Sequence, residues 1–273
     1  MFVYLHCDAH TLNAEKPALR DYARYRQEIH SMNPCIFLAG ATGAIGRRLA
    51  PLLIAAGYRV AGSTRAGEKA AGLREIGVEP IVVDVFDVDA LCQAMSLVQP
   101  SVVIHQLTDL PPGLDMSKMD AAVVRNARIR EVGTRNLVAA ALHAGAQRLI
   151  AQSVAFAYAD GALPYDETAP LNLDGEGNRG ISARGVASLE QQVLTAPLDG
   201  VVLRYGRLYG PGTGFEVAAG AGAVHVDAAA KAAQLAVSRG LPGIYNIAED
   251  DGTVASDKAV RVLGWNAAWR AGL

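Results

Sequence analysis

Cysteine, lysine, net charge and long apolar runs are all scarce in this chain, and each shortage excludes a class of protein. The 273 residues include three cysteines, Cys7, Cys35 and Cys92, too few and too scattered for a disulfide framework or a metal site. A formal net charge of −2 gives no electrostatic reason to expect nucleic acid or an anionic membrane as a partner. No apolar run is long enough to span a membrane. We therefore expect a cytoplasmic protein with free thiols and no metal.

The shortage of lysine is greatest in the middle of the chain. Five lysines are present, and none lies between Lys118 and Lys231. A site built from this central stretch therefore has to work without lysine. With 51% hydrophobic residues, the chain is long enough to bury the core of one large α/β domain.

Residues 1–33 precede the first clear strand. They lack the basic start and apolar core of a signal peptide. We expect a loosely ordered extension here, followed by one domain over residues 34–273.

A glycine-rich turn follows the first predicted strand. Ile36–Ala39 is apolar, which is typical of a strand buried on both faces, and helix-forming residues begin at Ala44. Gly40 allows a tight turn, Gly43 lets the backbone approach a pyrophosphate, and Gly46 lets the helix pack closely on the strand. The free N–H groups that open the helix favour phosphate. The residues predicted to bind a dinucleotide here are Gly40, Thr42, Gly43, Ala44, Ile45 and Gly46. A glycine-rich turn without a ligand is the alternative.

The residues at the end of the second predicted strand indicate whether NAD or NADP binds. NAD-specific enzymes place a carboxylate here for the ribose 2′-hydroxyl, but this chain has Ser63 and Arg65. A guanidinium and a hydroxyl suit a 2′-phosphate. The sequence therefore predicts NADP, with NAD possible. The alternative is that Arg65 is a solvated loop residue.

Three further segments complete the predicted cofactor cleft. Asp84 and Val85 follow the third strand and suit the adenine, although Asp84 is equally placed to cap the helix near Val88. The loop after the fourth strand should line the nicotinamide ribose, and a glycine- and proline-rich loop after the sixth strand should cover the cleft. These two loops contribute the candidates Gln106, Leu107, Thr108, Tyr205 and Gly206.

Taken together, these motifs resemble the extended short-chain dehydrogenases/reductases, in the branch of NAD-dependent epimerase/dehydratase-like proteins. The resemblance is carried by the glycine run 40–46, Asp84–Val85, Val103–His105, Asn126, Gly133–Leu137, Gln152–Ser153, Leu203–Gly212 and Val224–Ala228. It implies an α/β, doubly wound parallel-sheet Rossmann fold. It also implies a serine after the fifth strand and a Tyr-x-x-x-Lys pair on the next helix, where the tyrosine exchanges a proton and the lysine tunes it.

The chain departs from the family at the expected acid–base pair. Ser153 matches the serine, but no tyrosine here has a lysine four residues on. With Glu190 as the register mark, Ser182 stands at the tyrosine position and Val186 at the lysine position. Tyr158 is our candidate for the proton donor. The other candidate substitutes are Tyr165 as a proton donor, and Arg179 or Arg184 as the missing positive charge.

Three functions stay open at this point. The first is an NADP-dependent oxidoreductase acting on a small carbonyl or alcohol, with Ser153 polarising the carbonyl and Tyr158 or a water supplying the proton. The second is a sugar or sugar-nucleotide epimerase/dehydratase. The third is a non-catalytic NADP-binding regulator that senses redox state.

Two expectations concern the remaining architecture. We expect a small, abbreviated C-terminal substrate cap, with elements near residues 154–180, 207–224 and 248–273, which favours a small-molecule substrate. The resemblance also implies a possible homodimer through the predicted helices over residues 117–144 and 182–194.

Overall fold

Seven parallel strands form the central sheet. This computed structural model describes residues 34–272, so the extension predicted over residues 1–33 lies outside the described residues. The strands of this sheet are β1 (Cys35–Ala39), β2 (Arg59–Thr64), β3 (Glu79–Val82), β4 (Val102–His105), β5 (Arg148–Val154), β6 (Asp199–Tyr205) and β9 (Gly243–Ile247). Their order across the sheet is β3-β2-β1-β4-β5-β6-β9. A separate parallel pair consists of β7 (Arg207–Tyr209) and β8 (Ala223–His225).

Helices cover both faces of the sheet. They are α1 (Ala44–Ala55), α2 (Ala70–Glu75), α3 (Val88–Val98), α4 (Met119–Arg128), α5 (Thr134–His143), α6 (Gly177–Thr195), α7 (Val226–Ala236) and α8 (Asp257–Leu263). A π-helical turn, Ile129–Gly133, joins α4 to α5 without a break. Of the helices in the described part of the chain, none is long and apolar enough to cross a membrane. The homodimer expected through α4, α5 and α6 stays a prediction.

The strand β1 shows how the sequence specifies this layered arrangement. Its side chains alternate between the two faces. Ile36 and Leu38 pack in a core cluster with Leu49 of α1, whereas Phe37 packs in a second cluster with Met95 of α3. All five side chains are fully buried. The apolar run predicted as a doubly covered strand is therefore confirmed, together with the doubly wound Rossmann fold.

The strand order also fixes where a ligand crevice can form. The chain moves outward from β1 to β2 and β3, then returns to place β4 on the other side of β1. Helices that follow β1 and β4 consequently lie on opposite faces, and a crevice opens at the carboxyl ends of these two strands.

Three segments outside the seven-stranded sheet contain β-bridges or short strands of their own. One follows β5 and contains the isolated bridge Tyr158–Leu171, and another carries Val254, which bridges to Tyr165. The third holds β7 and β8. The role of these segments as a substrate cap stays a prediction.

A buried polar network joins β5, β6, β9 and α6. The guanidinium of Arg204 forms a two-pronged contact with Glu190, with N–O distances of 2.8 and 2.6 Å, and both side chains are about 95% buried. Ser153 donates to Glu190 at 2.7 Å. Arg204 also donates to the Tyr158 hydroxyl at 2.9 Å, which in turn donates to Oδ1 of Asn246 at 2.6 Å. The network satisfies charges that would otherwise be costly to bury.

We predict that Glu190→Ala strongly destabilises the fold. Removing the carboxylate leaves the Arg204 charge buried without a partner, which costs about 3–5 kcal/mol of unfolding free energy. Asp160→Ala is the matched control, because it breaks the Arg179–Asp160 pair, whose side chains are 66% and 91% exposed; its effect should stay within about 1 kcal/mol. Urea denaturation measures both, and equally small losses would contradict the role given to the buried pair.

Candidate functional site

A cavity of about 860 Å³ opens at the carboxyl ends of β1, β2 and β4. This is the crevice expected from the strand order. Ten of the predicted cofactor residues line it: Gly40, Thr42, Gly43, Ala44, Ser63, Arg65, Val85, Gln106, Leu107 and Thr108. Their assignment to a cofactor stays a prediction, but the fold brings them together around one space.

The glycine turn between β1 and α1 forms the floor of the cavity. Gly40 has a φ of +88°, and a Cβ on it would lie 2.6 Å from the carbonyl oxygen of Gln106. A Cβ on Gly46 would lie 2.3 Å from the oxygen of Gly40, so this glycine packs behind the turn. Ile45 is 3% exposed and belongs to the core. Ile45 and Gly46 therefore support the turn from outside the cavity lining.

The first turn of α1 faces the cavity without a competing anion. Gly43 is its N-cap, no side chain caps the helix, and no acidic residue stands in the first turn. The helix start therefore leaves N–H donors and a positive dipole end available to a diphosphate.

The cavity lining carries a strong excess of positive charge. Four basic side chains line it: Arg47, Arg48, Arg65 and Lys69. Among the described lining residues Asp109 alone carries a carboxylate. Such a field favours a ligand with several phosphates.

Two further features fit a dinucleotide. Oε1 of Gln106 is buried and has no hydrogen-bond partner within the described part of the chain, although its amide nitrogen donates to the Tyr205 hydroxyl at 3.4 Å. A buried acceptor of this kind is costly unless a ligand or water supplies a donor. Val85, Phe86 and Ile129 add an apolar wall to the cavity, which suits the face of an adenine.

Asp84 lies beside this wall rather than in the lining. Its carboxylate accepts from the N–H of Phe86 at 3.0 Å. The helix α3 is capped by Asp87, which accepts from the N–H of Ala90 at 3.0 Å. The alternative role of Asp84 as helix cap is therefore wrong, because the cap is Asp87, three residues later. Its role toward adenine stays a prediction.

The two residues predicted to be catalytic do not reach the cavity. Ser153 and Tyr158 are 1% and 4% exposed, and both hydroxyls are engaged in the network with Glu190 and Arg204. Neither belongs to the cavity lining. Burial raises the pKa of Tyr158, which further disfavours ionisation. A role in fixing strands and helix therefore accounts for both residues better than proton transfer does.

Other predicted residues also lie outside the lining. Tyr205 is 1% exposed, and a Cβ on Gly206 would lie 2.1 Å from the oxygen of Gly222. Tyr165 stacks on Tyr158 with ring centroids 5.1 Å apart. The loop that follows, over residues 211–214, does line the cavity.

The position expected for the acid–base pair is largely apolar. Val186 of α6 is fully buried and packs with Ala183 and with Val154 at the end of β5. Ser182, at the tyrosine position, accepts from Nη1 of Arg130 at 3.1 Å. A serine hydroxyl and a valine cannot reproduce the tuned acidity of a tyrosine beside a lysine.

Arg130 is the positive charge that the structure places beside Ser182. The sequence-based candidates lie elsewhere: Arg184 donates to the carbonyl of Leu173 at 2.9 Å, and Arg179 pairs with Asp160 at 3.2 Å. Arg130 lies in the π-helical turn. No pattern in the sequence predicts this turn.

Arg130 stays charged despite its burial, whereas the neighbouring His105 stays neutral. Burial lowers the pKa of Arg130 to about 10, with Glu190 opposing the shift, so the guanidinium stays cationic at neutral pH. His105 is buried with Nε2 3.2 Å from Oγ1 of Thr134. Burial, together with Arg130, lowers the pKa of His105 to about 3. His105 is thus a neutral partner inside the fold.

The sequence over residues 36–220 matches the model of the NAD dependent epimerase/dehydratase family. The chain belongs to this family. A 3-diazoavenalumate denitrifying reductase from a Streptomyces species is 39% identical in an alignment of 237 residues, gaps included. That alignment covers 79% of this chain and 76% of that protein.

Solved structures of two UDP-glucose 4-epimerases share the fold of this chain. The UDP-glucose 4-epimerase of Thermotoga maritima, with UDP-glucose, is 20% identical and has a TM-score of 0.69, covering 86% of this chain and 94% of its own. The UDP-glucose 4-epimerase of Thermus thermophilus, in complex with NAD, is 21% identical with a TM-score of 0.67 and the same coverages of 86% and 94%. At these identities the likeness supports the fold alone.

Family membership and the reductase relative identify an NAD(P)-dependent enzyme of the oxidoreductase and epimerase type. This argues against a non-catalytic regulator.

We predict that Gly40→Ala abolishes dinucleotide binding while Gly57→Ala preserves it. Both glycines have a φ of +88°, so both substitutions cost about 1–2 kcal/mol of backbone strain. A Cβ at Gly57 meets nothing within 4 Å, whereas one at Gly40 meets the carbonyl of Gln106 at 2.6 Å. Calorimetric titration with NADPH and NADH measures the difference. Equal binding by the two variants would show that the turn at Gly40 does not shape the site.

Proposed function

We propose that this protein is an NADPH-dependent reductase that delivers hydride to a small electrophile without taking a proton from a tyrosine. The observation that carries the proposal is the apolar packing of Val186 and Ala183 against Val154 where the family resemblance places the acid–base pair. A substrate that needs no proton from the protein suits such a site best.

The preference for NADPH is supported by the charges of the cleft. Arg65 follows β2 directly, lines the cavity and is 52% exposed at its side chain. Lys69, four residues further on, also lines the cavity. Two cations in this lining favour a ligand with a 2′-phosphate over one with a hydroxyl.

A diazo compound is the substrate class that we favour. The Streptomyces relative is named as a denitrifying reductase of a diazo compound. Replacement of a cationic R–N₂⁺ group by the hydride that NADPH supplies yields R–H, N₂ and NADP⁺, and it consumes no proton. The protein then has to bind, orient and shield the substrate, which apolar side chains can do.

A small carbonyl is the second candidate. Reduction of a carbonyl requires a proton at oxygen. Ser182 stands at the tyrosine position and accepts from Arg130, although neither residue belongs to the cavity lining. The arginine would stabilise negative charge that develops on the oxygen, while the serine hydroxyl would relay a proton from water.

Turnover assays separate these two substrate classes. The purified protein is mixed with NADPH and either arenediazonium salts or a panel of aldehydes and ketones. We expect NADPH oxidation and N₂ release with diazonium substrates, and Ser182→Ala should leave that rate within about twofold because the chemistry needs no proton.

Two outcomes would redirect the proposal. Turnover of carbonyls alone, lost in Ser182→Ala, would establish the second candidate. Absence of NADPH oxidation with both classes, in a protein that binds NADPH, would overturn the assignment as a reductase of small electrophiles.

We predict that Arg65→Ala removes the preference for NADPH. The variant should bind NADPH about 10–100-fold more weakly, because it loses a charge-assisted contact worth about 1.5–3 kcal/mol, and should bind NADH unchanged. Arg74→Ala is the charge-matched control, since Arg74 is an exposed residue of α2 outside the cavity lining. Fluorescence titration with both dinucleotides measures the ratio, and an unchanged ratio in Arg65→Ala would contradict the role of this arginine.

A further inference from the structure

Asp109 is an acidic residue in a cavity lining that is otherwise basic, and its presence there requires an explanation. Among the described lining residues Asp109 stands against four basic side chains, in a site whose expected ligand is an anion. A like charge near a phosphate weakens binding, so an acidic residue at this position imposes a cost on a ligand that places a phosphate beside it.

Asp109 lies between two arginines. Its Oδ1 is 3.7 Å from Nη2 of Arg65, and its Oδ2 accepts a hydrogen bond from Nε of Arg125 at 3.2 Å. Arg65 follows β2 and Asp109 follows β4, so the longer contact joins loops that flank β1 at the mouth of the cavity.

The position of Asp109 is itself fixed by the fold. Its N–H donates to Oδ1 of Asn126 at 3.0 Å, and the amide of Asn126 donates to the carbonyl of Ala122 within α4 at 2.8 Å. Asn126 is 6% exposed. The backbone of Asp109 is therefore anchored on α4, while its carboxylate remains 29% exposed.

The two ion pairs differ in strength. The contact with Arg125 is a directed hydrogen bond, whereas the contact with Arg65 is long and the arginine is 52% exposed. Exposed pairs of the second kind contribute about 1 kcal/mol or less. A doubly charged phosphate can therefore displace Asp109 from Arg65, while Arg125 continues to neutralise the carboxylate.

We propose that Asp109 limits the preference of this enzyme for NADPH over NADH, because it competes with the 2′-phosphate for Arg65, and that Arg125 weakens this competition by holding the carboxylate. The inference rests on the proposed role of Arg65 as the 2′-phosphate ligand. Asp109 affects binding of the 2′-phosphate through Arg65, and Arg125 affects it through Asp109.

The proposal assigns opposite effects to two neighbouring charges. Asp109→Asn frees Arg65, so the Kd for NADPH should fall by about threefold, the equivalent of a weak exposed ion pair. Arg125→Met leaves Asp109 with Arg65 as its partner, so the Kd for NADPH should rise by about twofold. The Kd for NADH should change in neither variant, because NADH presents no phosphate to Arg65.

The experiment is a fluorescence titration of the full chain with NADPH and NADH in a double-mutant cycle. Asp115→Asn is the matched control: Asp115 lies six residues further on, pairs with Lys118 at 3.1 Å and is absent from the cavity lining. It removes the same charge and should leave both affinities unchanged. In an Arg65→Ala background, Asp109→Asn should no longer alter the ratio of the two affinities.

The outcomes distinguish this inference from the proposed function. If Arg65→Ala alters the ratio of NADPH to NADH affinities but Asp109→Asn does not, the competition is refuted and the NADPH assignment stands. If Asp109→Asn alters the ratio equally with and without Arg65, the effect does not pass through this arginine and the inference fails. If Arg65→Ala leaves the ratio unchanged, Arg65 is not the 2′-phosphate ligand, and both its proposed role and this inference fail.

Discussion

The architecture of the site depends on a steric constraint at Gly40. The turn after β1 approaches the exit of β4 so closely that a single added carbon would lie 2.6 Å from the carbonyl oxygen of Gln106. This approach holds the start of α1 directly above the ends of β1 and β4, where the strand order opens a crevice. The close approach at Gly40 therefore fixes the positions of the glycine turn, the start of α1 and the loop after β4 relative to one another.

Charge is distributed around this floor in two separate ways. Inside the fold, Arg204 and Glu190 neutralise each other and recruit Ser153 and Tyr158, so these polar side chains serve the structure. In the cavity, four basic side chains outnumber the carboxylate of Asp109. Of these, Arg65 remains 52% exposed despite its long contact with Asp109, whereas Arg48 pairs with Asp227 at 3.6 Å. Arginine thus has a structural role inside the fold and is a candidate ligand contact in the cavity, because a buried charge must be paired within the protein.

Local patterns in the sequence were sufficient for the fold and for much of the cavity. The apolar run of β1, the glycine spacing and the residues after β2 and β4 act through nearby backbone, so their positions follow from strand and helix geometry. Ser153 shows where this reasoning fails, because its partner Glu190 is 37 positions away and claims the hydroxyl. Arg130 was missed for a related reason, since its partner Ser182 is 52 positions away. Side-chain direction in a tertiary network is not encoded by spacing alone.

The most direct test of the account is to map NADPH onto the backbone. Two-dimensional amide NMR of the isotope-labelled protein during an NADPH titration reports which N–H groups change environment. A diphosphate bound at the start of α1 should produce saturable shifts that are largest at the backbone N–H groups of Ala44, Ile45 and Gly46, which open the helix. Shifts centred on Ser153 and Tyr158, with the amides of the glycine turn unchanged, would show that the dinucleotide binds elsewhere.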